Sequence, residues 1–228
     1  MNKLSMNVEW KCVCADYLNS CPQSYAVVDN FLPTDIYNSI RDFLILDGGW
    51  RQKNWQVDQL FCKEPPIPHL LDLISTIKLG LGNIADGLEL VKHWGVLCHT
   101  NNGLQVHSDN AAIAINLWLT PDEYNISPET GGMVIYDLKR TEDMAIHEFN
   151  AMPWAGDFLS NHPNVSSVNI PYRNNRAVIF DARLFHESDN VKFSGDMFEH
   201  CRMGLTLALD NPDVYSERMK KYKVGTKS

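Results

Sequence analysis

In the first part of the chain, hydrophobic residues recur at helical spacing. The positions that follow Pro33 have the i, i+4, i+7, i+8 pattern of one helix face, and they are Ile36, Ile40, Phe43 and Leu44. This pattern predicts a helix capped by Thr34 and preceded by a short strand at 25–28. A second helix is predicted after Pro68, with its end at the glycines at positions 80 and 82.

After residue 87 the pattern changes to short hydrophobic runs that are separated by turn-forming segments. The runs are LELVKHWGVLC, AIAINLWL, GMVIYDL, AVIFDARLF and RMGLTLAL. Several short strands after a helical region predict an antiparallel sandwich or barrel with helices packed on one outer face. We therefore expect one domain over residues 1–228, with a helical lead-in at about 25–87 and a strand-rich core at about 88–211.

Composition narrows the class of protein. The formal net charge of -8 and the absence of a basic stripe argue against a nucleic-acid partner. The sequence has no hydrophobic stretch long enough to cross a bilayer, so we expect a soluble cytoplasmic protein with no membrane partner. Six irregularly spaced cysteines do not form a disulfide framework, and we expect them to be reduced thiols.

A candidate metal site begins in the stretch LQVHSDNAAIAINLWLT. His107 and Asp109 lie two positions apart, so in a strand they present a nitrogen and a carboxylate oxygen to the same side. His186 follows a second hydrophobic strand, in NRAVIFDARLFHESDN. Two histidines and one carboxylate on one face of an octahedral ion suit non-haem iron(II), whereas a closed zinc site requires a fourth protein ligand.

These motifs resemble the iron(II)- and 2-oxoglutarate-dependent oxygenases, in the prolyl-hydroxylase-like branch. The similarity extends over about residues 25–211. VVDNFLPTDIYNSIRDFL resembles the opening strand and helix of that branch, and HSD, GGMVIYD, NRAVIFDARLFHES and CRMGLTLAL follow in the order of the family. The resemblance implies a mainly β protein with flanking helices, whose core is a double-stranded β-helix, or jelly roll, with the metal at its mouth.

The resemblance also implies the chemistry. His107, Asp109 and His186 are the expected iron ligands and catalytic residues; 2-oxoglutarate chelates the iron, and O2 is the second cosubstrate. Decarboxylation to succinate then produces the oxidant that attacks the substrate. The far carboxylate of 2-oxoglutarate requires a cation, and Arg202 on the last clear strand is the expected clamp. Arg176 and Arg183 are rivals, but both precede His186, where the family does not usually place this residue.

Strand alternation adds candidate side chains to the same pocket. Thr206 shares the face of Arg202 and is expected to donate a hydrogen bond to the cosubstrate, although Gly204 stands where some relatives have Ser or Thr. In AIAINLWLT, Asn116 and Trp118 share one face with Ala114, while aliphatic residues occupy the other face. We expect Asn116 to hydrogen-bond 2-oxoglutarate and Trp118 to border the substrate.

The long segment between Gly132 and His186 exceeds what the strands require and is interpreted as a lid that carries specificity. Its apolar contact groups are Met152, Trp154 and Phe158. Between positions 137 and 160, five acidic residues outnumber two basic residues. We expect a small metabolite or a peptide-like substrate, neutral or amine-bearing, that is hydroxylated at an unactivated carbon. A solvated crossover without substrate contact is the alternative for this segment, and nucleic-acid demethylation is a distant alternative for the reaction.

Two other functions are compatible with a jelly roll. A non-catalytic, cupin-like metal-binding or sensing module would keep the metal ligands without turnover, but it has no need for Arg202. A halogenase of the same fold requires an open coordination position where this chain has Asp109. Both residues therefore favour the oxygenase.

Overall fold

The computed structural model describes residues 4–53, 56–99, 102–150 and 154–225. The α-helices are α1 (Trp10–Asn19), α2 (Thr34–Asp47), α3 (Leu70–Leu81), α4 (Ile146–Phe149), α5 (Trp154–Ser160) and α6 (Pro212–Gly225). The strands are β1 (Tyr25–Val28), β2 (Arg51–Lys53), β3 (Gln56–Lys63), β4 (Glu89–Cys98), β5 (Ile113–Trp118), β6 (Met133–Lys139), β7 (Ser167–Ile170), β8 (Ala177–Asp181), β9 (Leu184–Ser188) and β10 (Arg202–Asp210). None of the described helices is long and apolar enough to cross a bilayer.

The strands form two antiparallel sheets that face each other. The large sheet has the order β1-β8-β5-β10-β4-β3-β2, and the small sheet has the order β7-β6-β9. The hydrophobic run at 177–185 supplies β8 to the large sheet and β9 to the small one, with a turn at Ala182 and Arg183 between them. The predicted mainly β architecture with flanking helices is confirmed.

Helices α1, α2 and α3 cover the outer face of the large sheet. Ile36, Ile40 and Leu44 of α2 are buried in one core with α3 and the large sheet, as the helical spacing predicts. The predicted cap is wrong, because α2 begins at Thr34 and Pro33 occupies the N-cap position. The Thr34 side chain belongs to the first helical turn, and no side chain caps this helix.

The helical lead-in contains the strand predicted at 25–28, which is β1, and a hairpin of two strands that the sequence did not predict. β1 pairs with β8, and the hairpin of β2 and β3 extends the large sheet beyond β4, with β3 paired from Gln59 to Lys63. β2 and β3 have mixed polar and hydrophobic sequences, and their extended structure depends on pairing with each other and, for β3, with β4 rather than on local preference. Helices α1 and α6 lie outside the predicted helices.

Strand β5 is central to the large sheet and separates two hydrophobic cores. Ile113, Ile115 and Leu117 pack against the helices, whereas Ala114 and Trp118 face the small sheet. This division confirms the predicted alternation. The space between the two sheets therefore receives the small, polar and aromatic side chains of β5.

The long segment after β6 packs on the outer face of the small sheet. Phe149, Ala155 and Phe185 form a small buried cluster there, and the ring of Phe158 stacks on Phe185 with 5.1 Å between centroids. The segment is therefore anchored by hydrophobic contacts at α4 and α5. Met152 lies outside the described residues.

Two glycines lie immediately before β6 in the small sheet. Gly131 has a positive φ of 83°, and a Cβ at Gly132 would lie 1.9 Å from the carbonyl oxygen of Ile170. The close approach is to backbone, which cannot rotate away as a side chain can. The close packing of β6 against the segment after β7 therefore requires Gly132.

We predict that Gly132→Ala lowers the free energy of unfolding by about 1–3 kcal/mol, because the added methyl group forces the two backbones apart. Gly156→Ala in α5 is the matched control, since a Cβ at Gly156 meets nothing within 4 Å. Urea unfolding of both variants measures the difference. Equal stability of Gly132→Ala and the parent would contradict the close packing.

Candidate active site

The two histidines are brought together by a pair of backbone hydrogen bonds. The amide of His107 donates to the carbonyl of His186 at 2.9 Å, and the amide of His186 donates to the carbonyl of His107 at 2.8 Å. Residues directly opposite each other in an antiparallel pair project to the same side. The two imidazole rings accordingly lie 4.3 Å apart between centroids.

Asp109 completes the cluster that the sequence predicts. Its amide donates to the carbonyl of Ala182 at 2.9 Å, and the residue is buried. Asp109 Oδ2 lies 3.7 Å from His186 Nε2. His107, Asp109 and His186 each offer one ligand atom, and all three atoms lie within 4.8 Å of one another.

Both imidazole rings are oriented by a hydrogen bond to the carbonyl oxygen two residues earlier in the chain. His107 Nδ1 lies 2.7 Å from the carbonyl oxygen of Gln105, and His186 Nδ1 lies 2.9 Å from that of Leu184. Because a carbonyl oxygen can only accept, each Nδ1 carries a proton, and Nε2 is the ring atom that remains for a metal. Burial, with a further contribution from His107, lowers the pKa of His186 to about 4, so this ring is neutral and able to bind a metal at neutral pH.

This donor set fits an octahedral metal ion. Bonds of about 2.1 Å place neighbouring ligand atoms about 3 Å apart, so the pairwise distances have to shorten by roughly 1–2 Å around the ion. Such a contraction is within the range of side-chain rotation. Two imidazoles and one carboxylate on a single side leave the opposite side of the ion for other ligands, the arrangement of non-haem iron(II) oxygenases.

Arg202 is a buried cation in the wall of the cavity that contains this metal cluster. Its Nε donates to the carbonyl of Gly131 at 2.6 Å and its Nη2 donates to the carbonyl of Gly132 at 3.0 Å. Its guanidinium lies over the ring of Trp118, 5.7 Å from the centroid. Within the described ranges, no carboxylate forms an ion pair with Arg202. A buried charge in this state is costly and is stabilised by an anion.

The two rival arginines are occupied elsewhere. Arg176 forms an ion pair with Asp29 through Nε at 2.5 Å and Nη2 at 3.0 Å. Arg183 forms an ion pair with Asp181 and is 42% exposed. Only Arg202 of the three lies in the wall of the cavity that contains the histidines.

One cavity between the sheets contains the metal cluster, Arg202 and the other predicted cosubstrate residues. Thr206 and Asn116 both line it, and the Thr206 hydroxyl donates to Asn116 Oδ1 at 2.9 Å. Trp118 also lines the cavity, but it is only 2% exposed and its ring stacks on Tyr172. Its main contact in the cavity is therefore with the guanidinium of Arg202. Gly204 leaves the position between Arg202 and Thr206 without a side chain.

Other residues of the cavity wall were not identified in the sequence. Trp94, Leu104, Glu187 and Ser188 line it. The alternation of β9 places Ser188 beside His186 and could have indicated it, but the alignment of Trp94 opposite Thr206 depends on the register of β4 with β10.

Trp154 is not part of this wall. It begins α5, is 52% exposed, and contacts His147 edge to face with 5.7 Å between centroids. Its predicted contact with substrate therefore requires a substrate that extends beyond the cavity or a movement of the α4–α5 segment.

No family model and no curated protein matches this sequence. Similar solved structures include the non-haem α-ketoglutarate-dependent carbocyclase SnoK of nogalamycin biosynthesis, with 16% identity, 89% of this chain and 84% of that chain covered, and a TM-score of 0.63. A prolyl-4-hydroxylase of Pseudomonas putida has 13% identity, 88% and 98% coverage, and a TM-score of 0.54.

HygX of Streptomyces hygroscopicus, with nickel, 2-oxoglutarate and hygromycin B bound, has 13% identity, 83% and 84% coverage, and a TM-score of 0.53. At these identities the likeness concerns the fold. The chain therefore has the jelly-roll fold of the iron(II)- and 2-oxoglutarate-dependent oxygenases, as the resemblance in its sequence predicts.

We predict that the parent binds one Co(II), used as a spectroscopic substitute for iron(II), and that Asp109→Ala and His186→Ala abolish its visible absorption. Each variant removes one of three ligands from a site that has no fourth protein ligand within the described residues. Exposed His162→Ala is the control and should bind Co(II) like the parent. Unchanged spectra in the two ligand variants would contradict the assignment.

Proposed function

We propose that this protein is a non-haem iron(II)- and 2-oxoglutarate-dependent dioxygenase that hydroxylates an unactivated carbon of a small metabolite or a peptide-like substrate. The observation that carries the proposal is the combination of two features in one cavity. A cluster of half-buried His107 with buried Asp109 and His186 can hold a metal, and buried Arg202 forms no ion pair with any described carboxylate.

The cosubstrate matches both features. 2-Oxoglutarate has a carboxylate and a keto group at one end, which chelate a metal, and a second carboxylate at the other end. A guanidinium binds a carboxylate through charge-assisted hydrogen bonds, and the Gly131 and Gly132 carbonyls fix the orientation of Arg202. A non-catalytic metal-binding module would bury this cation without a comparable gain.

The protein residues position the reactants. When bound, iron(II) supplies the activation of O2 and 2-oxoglutarate that organic side chains cannot provide. His107, Asp109 and His186 would hold the iron, and Arg202 would fix the far end of the cosubstrate. Asn116 and Thr206 lie on the same wall, and their hydrogen bond can be exchanged for one to the cosubstrate. No general base is needed for this chemistry.

The structural neighbours support a small-molecule substrate without identifying it. SnoK belongs to nogalamycin biosynthesis, and HygX has hygromycin B bound. SnoK is a carbocyclase, whereas the Pseudomonas putida neighbour is a prolyl-4-hydroxylase, so proteins that share this fold give different products. The proposal of hydroxylation at an unactivated carbon therefore rests on the resemblance to the prolyl-hydroxylase-like branch.

The direct test is turnover. The iron-loaded protein is supplied with 2-oxoglutarate, ascorbate and O2 together with pools of metabolites and peptides, and succinate is measured beside any compound that gains one oxygen atom. Succinate that forms in proportion to an oxygenated product supports the proposal. Iron and 2-oxoglutarate binding without succinate, over all pools, would instead indicate a binding or sensing module. Oxidation of methylated DNA or RNA alone would contradict the substrate class.

We predict that Arg202→Ala weakens 2-oxoglutarate binding roughly 30- to 1,000-fold, about 2–4 kcal/mol, because it removes the charged partner of the far carboxylate. Metal binding should be retained. Arg202→Lys keeps the charge but loses the bidentate geometry, so its affinity for 2-oxoglutarate should lie between those of the parent and Arg202→Ala. Arg183→Ala is the control, and calorimetry under anaerobic conditions measures all four proteins. Parental affinity in Arg202→Ala would assign the anchor to another residue.

We further predict that Trp154→Ala impairs substrate oxidation more than it impairs metal or 2-oxoglutarate binding, because an exposed aromatic ring on the α4–α5 segment is a contact group for substrate. Leu71→Ala, at an exposed hydrophobic position of α3, is the control. The measurement is KM and kcat for the substrate found in the turnover screen. Equal values for Trp154→Ala and the parent would contradict the lid interpretation.

A further inference from the structure

Ser108, between the two metal ligands His107 and Asp109, is completely buried, and each of its polar groups has a partner. Its hydroxyl is within hydrogen-bond distance of the carbonyls of Ala182 and Arg183, at 3.1 and 3.0 Å. These carbonyls belong to the turn that joins β8 to β9. The hydroxyl therefore ties the first two ligands to the strand that carries the third.

The other two groups of Ser108 are held by the end of α4. Its amide donates to the carbonyl of Phe149 at 2.7 Å, and its carbonyl accepts from Asn150 Nδ2 at 2.7 Å. The Ser108 carbonyl belongs to the peptide that links Ser108 to Asp109. The Asn150 amide thus holds the peptide plane from which the Asp109 side chain projects.

The segment around Asn150 is itself anchored at the metal cluster. Phe149 is 3% exposed, and the guanidinium of Arg140 lies 4.9 Å from the centre of its ring. Arg140 donates from Nε to the carbonyl of Asp109 at 3.3 Å and from its backbone amide to the carbonyl of Arg183 at 2.8 Å. Asp109 is therefore held on both sides by a segment that lies outside the two sheets.

We propose that Asn150 is a positioning residue for the metal centre, and that it acts through the Ser108 carbonyl to fix the Asp109 carboxylate relative to the two imidazoles. The inference rests on the metal centre of the proposed function. Metal ligands depend on such outer hydrogen bonds for their orientation, and loss of one typically reduces metal affinity or activity about 10- to 100-fold. The C-terminal end of α4 therefore supports the metal site as well as belonging to the α4–α5 segment.

The test is the Co(II) affinity of the metal-free protein, which is independent of turnover. Asn150→Ala should bind Co(II) about 10- to 100-fold more weakly than the parent and with an altered visible spectrum. Asn150→Gln retains an amide donor and should recover most of the affinity. Asn161→Ala, at an exposed position after α5, is the matched control and should behave as the parent does.

Thermal unfolding without metal separates positioning from folding. If Asn150→Ala does not fold, Asn150→Leu, which keeps the side-chain size but lacks the donor, is judged by the same criterion. Parental Co(II) affinity and spectrum in the folded donor-less variant would overturn the inference and leave the proposed function intact. A parent that binds Co(II) but forms no succinate would instead overturn the proposed function alone, and a parent that binds no Co(II) would overturn both.

Discussion

The candidate site depends on the reciprocal backbone hydrogen bonds between His107 and His186. This pair joins a segment that follows β4 to a strand of the small sheet, and it forces both imidazoles to one side. Each imidazole is then turned by a carbonyl two residues before it, so that both Nε2 atoms are available. The ligand geometry is thus determined mainly by backbone hydrogen bonds. These bonds form only when the segment that follows β4 and strand β9 are correctly aligned.

The distribution of charge in the cavity follows from the same arrangement. Asp109 and Arg202 are both buried there, and neither forms an ion pair with the other in the described structure. Each charge is therefore stabilised by polar groups and remains available to a ligand of opposite sign: a cation at Asp109 and an anion at Arg202. A metal chelated by a dicarboxylate satisfies both, which is why these two residues together are more informative than either one alone.

The sequence predicted the parts of the fold and site that depend on local pattern. Strand alternation placed Asn116 and Thr206 in one cavity, and helical spacing identified the buried face of α2. Strands β2 and β3 were not predicted, because their extended structure depends on pairing with each other and, for β3, with β4. Asn150 was not identified for a related reason, since its contact with Ser108 requires a chain reversal that no local pattern encodes.

The cavity itself results from what the inner face of the large sheet lacks. Several inward positions of this sheet carry large side chains that fill the gap between the sheets, such as Phe61 and Phe180. Around Arg202, the neighbouring inward positions carry Gly204 and Thr206, and these are too small to reach the opposite sheet. Close packing is the general rule in protein interiors, so a gap lined by a buried cation and metal-binding side chains indicates selection for a ligand rather than poor packing. A large aliphatic residue in place of Gly204 would increase the packing density between the sheets, but it would occupy the space that a cosubstrate needs.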